Sequence, residues 1–355
     1  MSSKVYLTRL NDGSTPEEQA KAVEKLFDAC NVSEIIDKNN FVAIKVHVGE
    51  KNNTTHVPPE VPAVLVKKAK EKEAIPFLTE TSTLYRGERE NAVKHIMHAI
   101  RHGFTVDKIG APFVMADGLA GNSEIEVEID GELNKTVKVA REARMTDVLL
   151  VVTHSTGHIV CGYGGTIKNL GMGLASRKGK LRQHSTMAPE IDRNRCVMCG
   201  RCIKWCPEDA ITAIDKKAYI HPDKCVGCGE CLAVCQFDAV KFNWGAESSD
   251  IQRQMAEHAY GVVKGKESKC FYFNVMINMT QDCDCMGIVQ EKIIPDIGIL
   301  ASADPVAIDE AALDLTLNNG KDLVKASYEH LNGRIQLAHA EKIGMGSRKY
   351  EIVEI

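Results

Sequence analysis

The sequence lacks the features of a secreted, membrane-spanning or nucleic-acid-binding protein. Its first twelve residues contain no apolar segment of the kind found in a secretory signal. No apolar run approaches the roughly 18 residues that span a bilayer, and the longest candidate, at 148–152, is typical of a buried strand. The formal net charge of −4 indicates no basic surface for nucleic acid. We therefore expect a cytoplasmic protein without membrane or nucleic-acid partners.

Cysteine, in contrast, is abundant. The 355 residues include 13 cysteines, an odd number, and the local spacings are too tight for a disulfide framework. An apolar content of 44% and a charged content of 26% are ordinary values that predict a globular chain with a sizeable core. The length of the chain indicates about two domains.

Strand and helix patterns alternate on both sides of a cysteine-rich stretch. Thr15 before Pro16, together with Glu18, indicates a capped helix start, and Asp130-Gly131 between two alternating segments indicates a hairpin. Such alternation predicts an α/β fold with a mostly parallel sheet flanked by helices. The predicted strands are 41–46, 76–79, 113–116, 148–153 and 271–279, and the predicted helices are 16–31, 61–72, 89–101, 250–260 and 305–317.

Eight of the cysteines form two copies of one motif. The first copy reads C-x2-C-x2-C-x3-C-P from 196 to 207, and the second begins 29 residues later, at 225. This is the spacing of bacterial two-cluster ferredoxins, in which three cysteines of a tight loop hold one cube and the fourth ligates the other cluster. The predicted [4Fe–4S] ligands are Cys196, Cys199, Cys202 and Cys235 for the first cluster, and Cys206, Cys225, Cys228 and Cys231 for the second.

The alternative interpretation of these cysteines is a pair of structural zinc sites. Zinc sites usually show C-x2-C pairs with longer gaps between the pairs, whereas here four close cysteines occur twice and Pro207 follows the first set. Gln236 replaces the proline often found in the second copy, which leaves the ligands unaffected. We predict that 190-244 is an inserted, small α+β dicluster ferredoxin-like domain, and that 1-189 and 245-355 form a discontinuous α/β domain. A reducing and oxygen-poor (anaerobic) compartment is expected, because exposed clusters are commonly oxidised.

With these motifs, the chain resembles the family called domain of unknown function 362, in its ferredoxin-fused form. The resemblance covers nearly the whole chain and lies in KVHVGE at 45–50, GYGGTIKNLGMG at 162–173, DCDC at 282–285 and SADPVAID at 302–309. The resemblance implies an iron–sulfur protein and implies no settled reaction.

The glycine-rich run at 162–173 follows the predicted strand at 148–153, and the carboxyl end of a strand is where α/β sheets bind ligands. The run matches neither G-x4-G-K-[ST] nor G-x-G-x-x-G. Two interpretations stay open: a phosphate-binding loop, or a tight packing turn with solvated histidines. The candidate catalytic residues of a site here are Lys168, His158 and His184. The candidate cofactor-binding residues are Gly162, Gly164, Gly165 and Asn169.

The same run resembles, more weakly, the nickel-dependent lactate racemase family. The order of glycine pair, lysine, glycine and histidine in that family is matched by Gly164-Gly165, Lys168, Gly171 and His184. The resemblance implies a lysine that tethers a nickel-pincer cofactor and histidines with metal and base roles. The lysine lies one residue farther from the glycine pair here, and Leu170 replaces the expected proline. We carry over a common origin of the loop and not the pincer cofactor.

Asp282-Cys283-Asp284-Cys285 is the second unusual feature. In an extended segment Cys283 and Cys285 point to the same side, and two such thiolates can chelate a soft metal or hold part of a third cluster. Repulsion from Asp282 and Asp284 is expected to raise the thiol pKa values, which favours a metal. The alternatives are a pair of reduced thiols or a redox-active dithiol. Further metal ligands would come from Cys161, Cys270, His47, His56, His154 and His158.

Three further features are less specific. Asp304 is expected to cap a helix that begins at Pro305, with Asp309 in its first turn. Glu80 and the three residues after it follow a predicted strand, so they either line a cleft at its carboxyl end or form a plain turn. Cys30 is expected in the core.

Together these features predict an iron–sulfur redox protein. In the first hypothesis the protein is an oxidoreductase, because a cluster module inserted in a loop of another domain indicates coupling between the two. Single electrons would pass from a redox partner such as a ferredoxin or flavodoxin to a small-molecule substrate. The alternative is a non-catalytic electron carrier, or a redox-sensing or assembly partner. A substrate-sized pocket where His158, Lys168 and Cys285 converge favours the enzyme, and a filled loop face favours the carrier.

Overall fold

The computed structural model describes residues 2–184, 188–225, 229–241 and 247–355. Its strands are β1 (Ser3–Arg9), β2 (Phe41–Lys45), β3 (Ile75–Glu80), β4 (Phe113–Met115), β5 (Glu124–Glu128), β6 (Thr136–Ala140), β7 (Val148–His154), β8 (Thr156–His158), β9 (Gly162–Gly164), β10 (Glu190–Ile191), β11 (Ile211–Ile214), β12 (Lys217–Ile220), β13 (Val240–Lys241), β14 (Cys270–Met276), β15 (Gly298–Ser302) and β16 (Tyr350–Glu354). Its α-helices are α1 (Pro16–Ala29), α2 (Glu60–Glu71), α3 (Ala92–Arg101), α4 (Val106–Ile109), α5 (Arg141–Met145), α6 (Thr166–Gly171), α7 (Arg177–His184), α8 (Arg201–Lys204), α9 (Glu230–Val234), α10 (Ser248–Val263), α11 (Pro305–Asn318), α12 (Leu323–Tyr328) and α13 (Ile335–Lys342).

The described residues form one eight-stranded sheet in the order β16-β1-β15-β14-β7-β2-β3-β4. The strands from β14 to β4 are parallel to one another, and β16 is parallel to β1. Only β15 runs antiparallel to its neighbours β1 and β14 within this sheet. The predicted α/β fold with a mostly parallel sheet flanked by helices is therefore confirmed.

Helices cover both faces of the sheet because its central strands are apolar on both sides. Along β7, Leu149 and Val151 pack in one apolar layer with α6, α10, α11 and α13. Leu150 and Val152 point the other way, into a layer shared with α1 and α2. This alternation follows from the two-residue period of a strand, and it explains why the run at 148–152 carries no polar residue.

Capping side chains determine where the helices begin. Glu18 N donates to Thr15 Oγ1 at 3.2 Å and Thr15 N donates to Glu18 Oε2 at 2.8 Å, which is the predicted capping box of α1. At α3, Asn91 Oδ1 accepts from Lys94 N at 3.1 Å. The helix therefore begins three residues later than predicted, and Arg89 lies in the preceding loop.

The described part of the cysteine-rich segment (188–225 and 229–241) contains two small sheets. Its outer strands β10 and β13 pair with each other, and β11 pairs with β12. A separate cluster of buried side chains, including Ile211, Ile220 and Val240, lies between them. The domain boundaries at 189/190 and 244/245 stay a prediction, because 242–246 lie outside the described residues. None of the described helices is both long and apolar enough to cross a bilayer.

Candidate functional site

A cavity of about 480 Å³ lies where the carboxyl ends of four parallel strands meet. His47 follows β2, Glu80 ends β3, His154 ends β7, and Cys285 lies in the loop after β14. In the sheet, β3 and β4 lie on one side of β2, whereas β7 and β14 lie on the other. The strand order reverses between β2 and β7, and such a switch point is where open α/β sheets bind ligands. The prediction that Glu80 and the residues after it line a cleft is confirmed.

The three candidate catalytic residues lie together in the wall of this cavity. Lys168 is on α6, His158 ends β8 and His184 ends α7. Burial lowers the pKa of His158 well below its usual range, and the charge of Lys168 acts in the same direction. The same two causes lower the pKa of His184 to about 4. The shifts favour neutral imidazoles. Both side chains are half-buried in the cavity wall, so the expectation of solvated histidines is met only in part.

The hydrogen bonds of His158 determine which nitrogen carries its proton. Its Nδ1 accepts from the backbone N–H groups of Val160 and Cys161, at 3.2 and 3.0 Å. A neutral imidazole with an accepting Nδ1 carries the proton on Nε2. His158 is therefore arranged to donate a hydrogen bond from Nε2.

Three of the four candidate cofactor-binding residues line the cavity, namely Gly164, Gly165 and Asn169. The fourth, Gly162, has a φ of +73°, and a Cβ there would lie 2.9 Å from Val324 Cγ1 on α12. This glycine therefore serves the packing of β9 against α12. Its predicted role in cofactor binding is not supported by its position.

The start of α6 is closed by a carboxylate from another element. Asp309 on α11 accepts from the backbone N–H groups of Thr166 and Ile167, at 2.7 and 2.9 Å. A phosphate at this helix start would meet that carboxylate, which disfavours phosphate binding at the start of α6 and favours the packing turn there. Asp304 is the N-cap of α11, as predicted, and accepts from Val306 N and Ala307 N. Asp309 lies beyond the first turn of α11, which contains no acidic residue, so that part of the prediction is wrong.

Close packing holds α6 in place. A Cβ at Gly165 would collide with the ring of Tyr163, and one at Gly171 would collide with the carbonyl oxygen of Met255 on α10. Only glycine permits this approach of the backbone to its neighbours. The position of Lys168, between these two glycines, is determined by those contacts.

A buried group of charges adjoins the cavity. Glu80 Oε1 lies 3.6 Å from Lys45 Nζ and 3.5 Å from Arg89 Nη1, and Glu80 Oε2 lies 3.0 Å from His95 Nε2. Burial opposes ionisation of Glu80, but these neighbours hold its pKa well below the usual range. Burial also lowers the pKa of Lys45 to about 8. Lys45 donates to Asn169 Oδ1 at 2.8 Å, which ties α6 to β2.

The two cysteines after β14 lie in a turn, and their side chains still meet. Met286 N donates to the carbonyl oxygen of Cys283 at 2.9 Å, which closes the turn. A hydrogen bond from Cys283 holds the pKa of Cys285 well below its usual range; burial opposes this shift, and the charges of Lys168 and Arg89 add to it. The same bond and burial raise the pKa of Cys283. The pKa values of the two sulfurs are therefore shifted in opposite directions.

The expected repulsion from the two neighbouring carboxylates does not control these sulfurs. Asp284 Oδ2 lies 2.8 Å from His154 Nδ1, and Tyr328 donates to Asp282 Oδ1 at 2.5 Å. Both carboxylates are thus engaged by partners of their own. The prediction that both thiol pKa values are raised is wrong for Cys285.

His47 provides a further contact to Cys285. Its Nδ1 accepts from Gly49 N at 3.1 Å. Its Nε2 lies 3.2 Å from Cys285 Sγ. Arg89 Nη1 lies 3.0 Å from the same nitrogen, which brings a guanidinium close to the sulfur.

The other candidate metal ligands are only partly brought together. Cys161 and His158 line the same cavity as the cysteine pair, whereas Cys270 lies at the amino end of β14, the opposite edge of the sheet. His56 stacks on His102 at a centroid distance of 4.8 Å. Across the described ranges, no group of three or more His, Cys, Asp or Glu side chains is arranged to hold a metal ion. Metal binding by the cysteine pair stays a prediction.

The predicted cluster ligands gather around two separate cavities. The first cavity is lined by Cys196, Cys199, Cys202 and Cys235. The second is lined by Cys206, Cys225 and Cys231. Cys228 lies outside the described residues. The described ligands therefore fall into the two predicted sets.

Backbone amides donate to the sulfurs in the same way in both copies of the motif. Ala210 N donates to Cys206 Sγ and Ala239 N donates to Cys235 Sγ, each at 3.3 Å. Both amides lie four residues after the fourth cysteine of their copy, so the sequence duplication extends to hydrogen bonding.

Arg86 joins the cysteine-rich segment to the cavity wall. Its guanidinium donates to the carbonyl oxygens of Cys235 and Gln236. Tyr85, the preceding residue, lines the cavity and donates to the carbonyl oxygen of Cys285 at 3.4 Å. A short series of contacts thus runs from a predicted cluster ligand to the cysteine pair.

Sequence reasoning missed three polar residues of this site: Arg89, Tyr85 and Lys180. Lys180 Nζ donates to Thr81 Oγ1 at 2.6 Å, and burial lowers its pKa to about 8. The spacing of these residues matches no motif, because loops and helices far apart in sequence bring them to the cavity. The sequence offered one indirect sign of buried charge near the cavity, because Lys45 ends the otherwise apolar strand β2.

The model of one protein family, described as Domain of unknown function (DUF362), matches residues 42–314. No curated protein sequence matches the chain. Among solved structures, a protein from Thermotoga maritima is similar at 12% identity and a TM-score of 0.45, over 87% of this chain and 60% of that one. The lactate racemase apoprotein from Thermoanaerobacterium thermosaccharolyticum is similar at 15% identity and a TM-score of 0.42, over 87% of this chain and 58% of that one. The chain thus spans less than two thirds of the length of either structure.

Proposed function

This chain belongs to the DUF362 family, and we propose that it is an iron–sulfur oxidoreductase. When bound, two [4Fe–4S] clusters in the cysteine-rich segment supply electrons one at a time. The cavity at the carboxyl ends of β2, β3, β7 and β14 receives these electrons and holds a small-molecule substrate. A partner protein such as a ferredoxin or flavodoxin is the electron donor.

The residues of the cysteine-rich segment fit such clusters. Each predicted set of described cysteines surrounds a cavity of its own, and backbone amides donate to ligand sulfurs at equivalent positions of the two copies. Hydrogen bonds to sulfur stabilise reduced clusters and tune their potentials. The donor set, with cysteine as its common member, suits iron–sulfur chemistry.

The observation that carries the proposal is the contact series from Cys235 through Arg86 and Tyr85 to Cys285. It places a predicted cluster ligand within a few side chains of a thiolate in the cavity wall. A simple carrier would need neither this contact nor a cavity of about 480 Å³ with His158 and Lys168 in its wall.

Metal and sulfide analysis of protein purified without oxygen tests the clusters. We expect about eight irons and about eight acid-labile sulfides per chain. Cys202→Ser should lose about half of each, whereas Cys270→Ser, which changes a buried cysteine at the far edge of the sheet, should retain all. Zinc in place of iron, without sulfide, would contradict the proposal and restore the structural zinc interpretation.

Ligand binding tests the enzyme against the carrier. A panel of metabolites is screened for those that raise the melting temperature of the protein, because a ligand that binds only the folded state stabilises it. The matched variant is Met172→Trp, which fills the cavity from its wall. The proposal expects a ligand whose shift disappears in this variant. If every metabolite changed the melting temperature of the parent and of Met172→Trp equally, the carrier interpretation would be favoured.

A further inference from the structure

We propose that Cys283 and Cys285 form a dithiol–disulfide couple, which is the two-electron acceptor at the end of the cluster chain. This deepens the proposed function, and its electron source rests on that function. The substrate class that follows is a small-molecule disulfide bound in the cavity.

The geometry supports a couple in three ways. One residue separates the two cysteines in a closed turn, and each side chain is the neighbour that most affects the other's pKa. Both sulfurs belong to the wall of the cavity, where a substrate reaches them. His47 Nε2 lies 3.2 Å from Cys285 Sγ, and Arg89 Nη1 lies 3.0 Å from the same nitrogen, so polar groups surround this sulfur.

The electron count is consistent with such a group. Each cluster supplies one electron at a time, whereas most organic substrates are reduced by pairs of electrons. The other described cysteines near the sheet are poorly suited, because burial raises the pKa of Cys161 to about 12 and that of Cys270 to about 11. The pair after β14 instead has Lys168 and Arg89 beside it.

In the reductive half of the cycle, two electrons and two protons break the Cys283–Cys285 bond and give two thiols. Clusters held by the two cysteine sets would supply these electrons one at a time. The thiol of Cys285 then ionises beside Lys168. In the oxidative half, the Cys285 thiolate attacks one sulfur of the substrate disulfide, whose S–S bond breaks and releases one thiolate. Cys283 loses its proton, attacks Cys285 Sγ and releases the second thiolate, which restores the Cys283–Cys285 bond.

The first test is alkylation of the complete, cluster-loaded protein by iodoacetamide, read by peptide mass. We expect Cys285 to react at least about tenfold faster than Cys270 at pH 7, because Cys285 lies in the cavity wall whereas Cys270 is buried at the other end of β14. Equal rates at Cys285 and Cys270 would overturn the inference.

The second test equilibrates the same protein in glutathione redox buffers without oxygen and assigns disulfides by mass. We expect a Cys283–Cys285 disulfide that reduced methyl viologen, a one-electron donor, removes in cluster-loaded protein. Cys283→Ser should abolish the disulfide and leave iron and sulfide unchanged. A dithiol that persists in every buffer, or a metal ion that Cys283→Ser removes, would sink this inference while the iron content still supports the proposed function. Absence of iron and sulfide would instead remove the proposed function and the electron source together.

Discussion

At the scale of single residues, Glu257 shows how a carboxylate is stabilised inside this protein. It lies on α10, fully buried, and accepts from Leu133 N at 2.9 Å, Asn134 N at 2.8 Å and His339 Nε2 at 3.1 Å. Burial alone would raise its pKa, but these hydrogen bonds outweigh that effect and lower it. One side chain therefore connects α10, α13 and the turn between β5 and β6.

We expect Glu257→Gln to lower the free energy of unfolding by about 2–4 kcal/mol at pH 7, because the amide nitrogen would face donors that the carboxylate satisfies. The folded pKa is depressed below the ordinary value of 4.5. The stabilisation is therefore present above that value and is lost as the pH falls through the folded pKa. Urea unfolding of both proteins from pH 7 into acid measures this.

The control for this prediction is Glu329→Gln, which changes an exposed glutamate on the surface. It should alter the free energy of unfolding by no more than about 0.5 kcal/mol. A difference between the parent and Glu257→Gln that stayed constant as the pH fell would show that the ionised carboxylate is not the cause.

At the scale of helices and strands, local sequence patterns predicted the elements that are determined by local sequence. β7 and β14 are largely apolar, and α1 and α11 have their own caps, so the sequence reveals them. β1 and β16 pair with each other from the two ends of the chain, and β15 runs between β1 and β14 against their direction. No local pattern carries a pairing between residues so far apart. The capping of α6 by Asp309 could not be predicted from the sequence for the same reason, because the two partners are far apart along the chain.

The contact between α6 and α10 gives a prediction at this scale. Gly171→Ala would drive a methyl group into the carbonyl oxygen of Met255, a backbone atom that cannot turn aside. We expect a loss of about 1–3 kcal/mol in the free energy of unfolding, as for other overpacked sites. Displacement of α6 should also move Lys168 and slow the alkylation of Cys285. Thermal unfolding and the alkylation rate measure the two effects.

Gly320→Ala separates packing from backbone strain in this experiment. Gly320 has a φ of +86°, and nothing lies within 4 Å of an added Cβ. It should cost about 1 kcal/mol through its backbone alone and leave the alkylation rate of Cys285 unchanged. If Gly171→Ala behaved in the same way, α6 would not be held by this contact.

At the scale of the whole molecule, the sequence predicted the site as far as one stretch of chain contains it. Lys168, His158 and His184 follow the same strand, so their convergence at its carboxyl end was foreseeable. The position of Arg86 beside Cys235, 149 residues away in sequence, depends on how the cysteine-rich segment docks on the sheet. That docking depends on how the surfaces of the segment and the sheet domain pack together. Neither motif spacing nor hydrophobic periodicity in the sequence encodes this packing.

This docking predicts an electrostatic effect on only one of the two proposed clusters. A positive charge near a cluster favours its reduced form, and Arg86 contacts the carbonyl oxygen of Cys235, a predicted ligand of the first cluster. Arg86→Leu removes that charge, while Asp238, its partner at 3.5 Å, stays neutralised by Arg195 and Lys241. We expect the potential of the first cluster to fall by about 30–60 mV, where 59 mV is a tenfold change for one electron.

A redox titration followed by electron paramagnetic resonance measures both potentials in the same sample. Arg86→Lys is the matched variant, since it keeps the charge and gives up the planar guanidinium, and its potentials should stay close to those of the parent. The second cluster, whose described ligands have no contact with Arg86, serves as the internal reference. Equal shifts of both clusters in Arg86→Leu would mean that the variant loosens the whole segment, and no shift would mean that Arg86 and Cys235 are not in contact in solution. A fall in the potential of one cluster alone would identify that cluster as the one nearest the cavity. That cluster would then be the last electron carrier before Cys285.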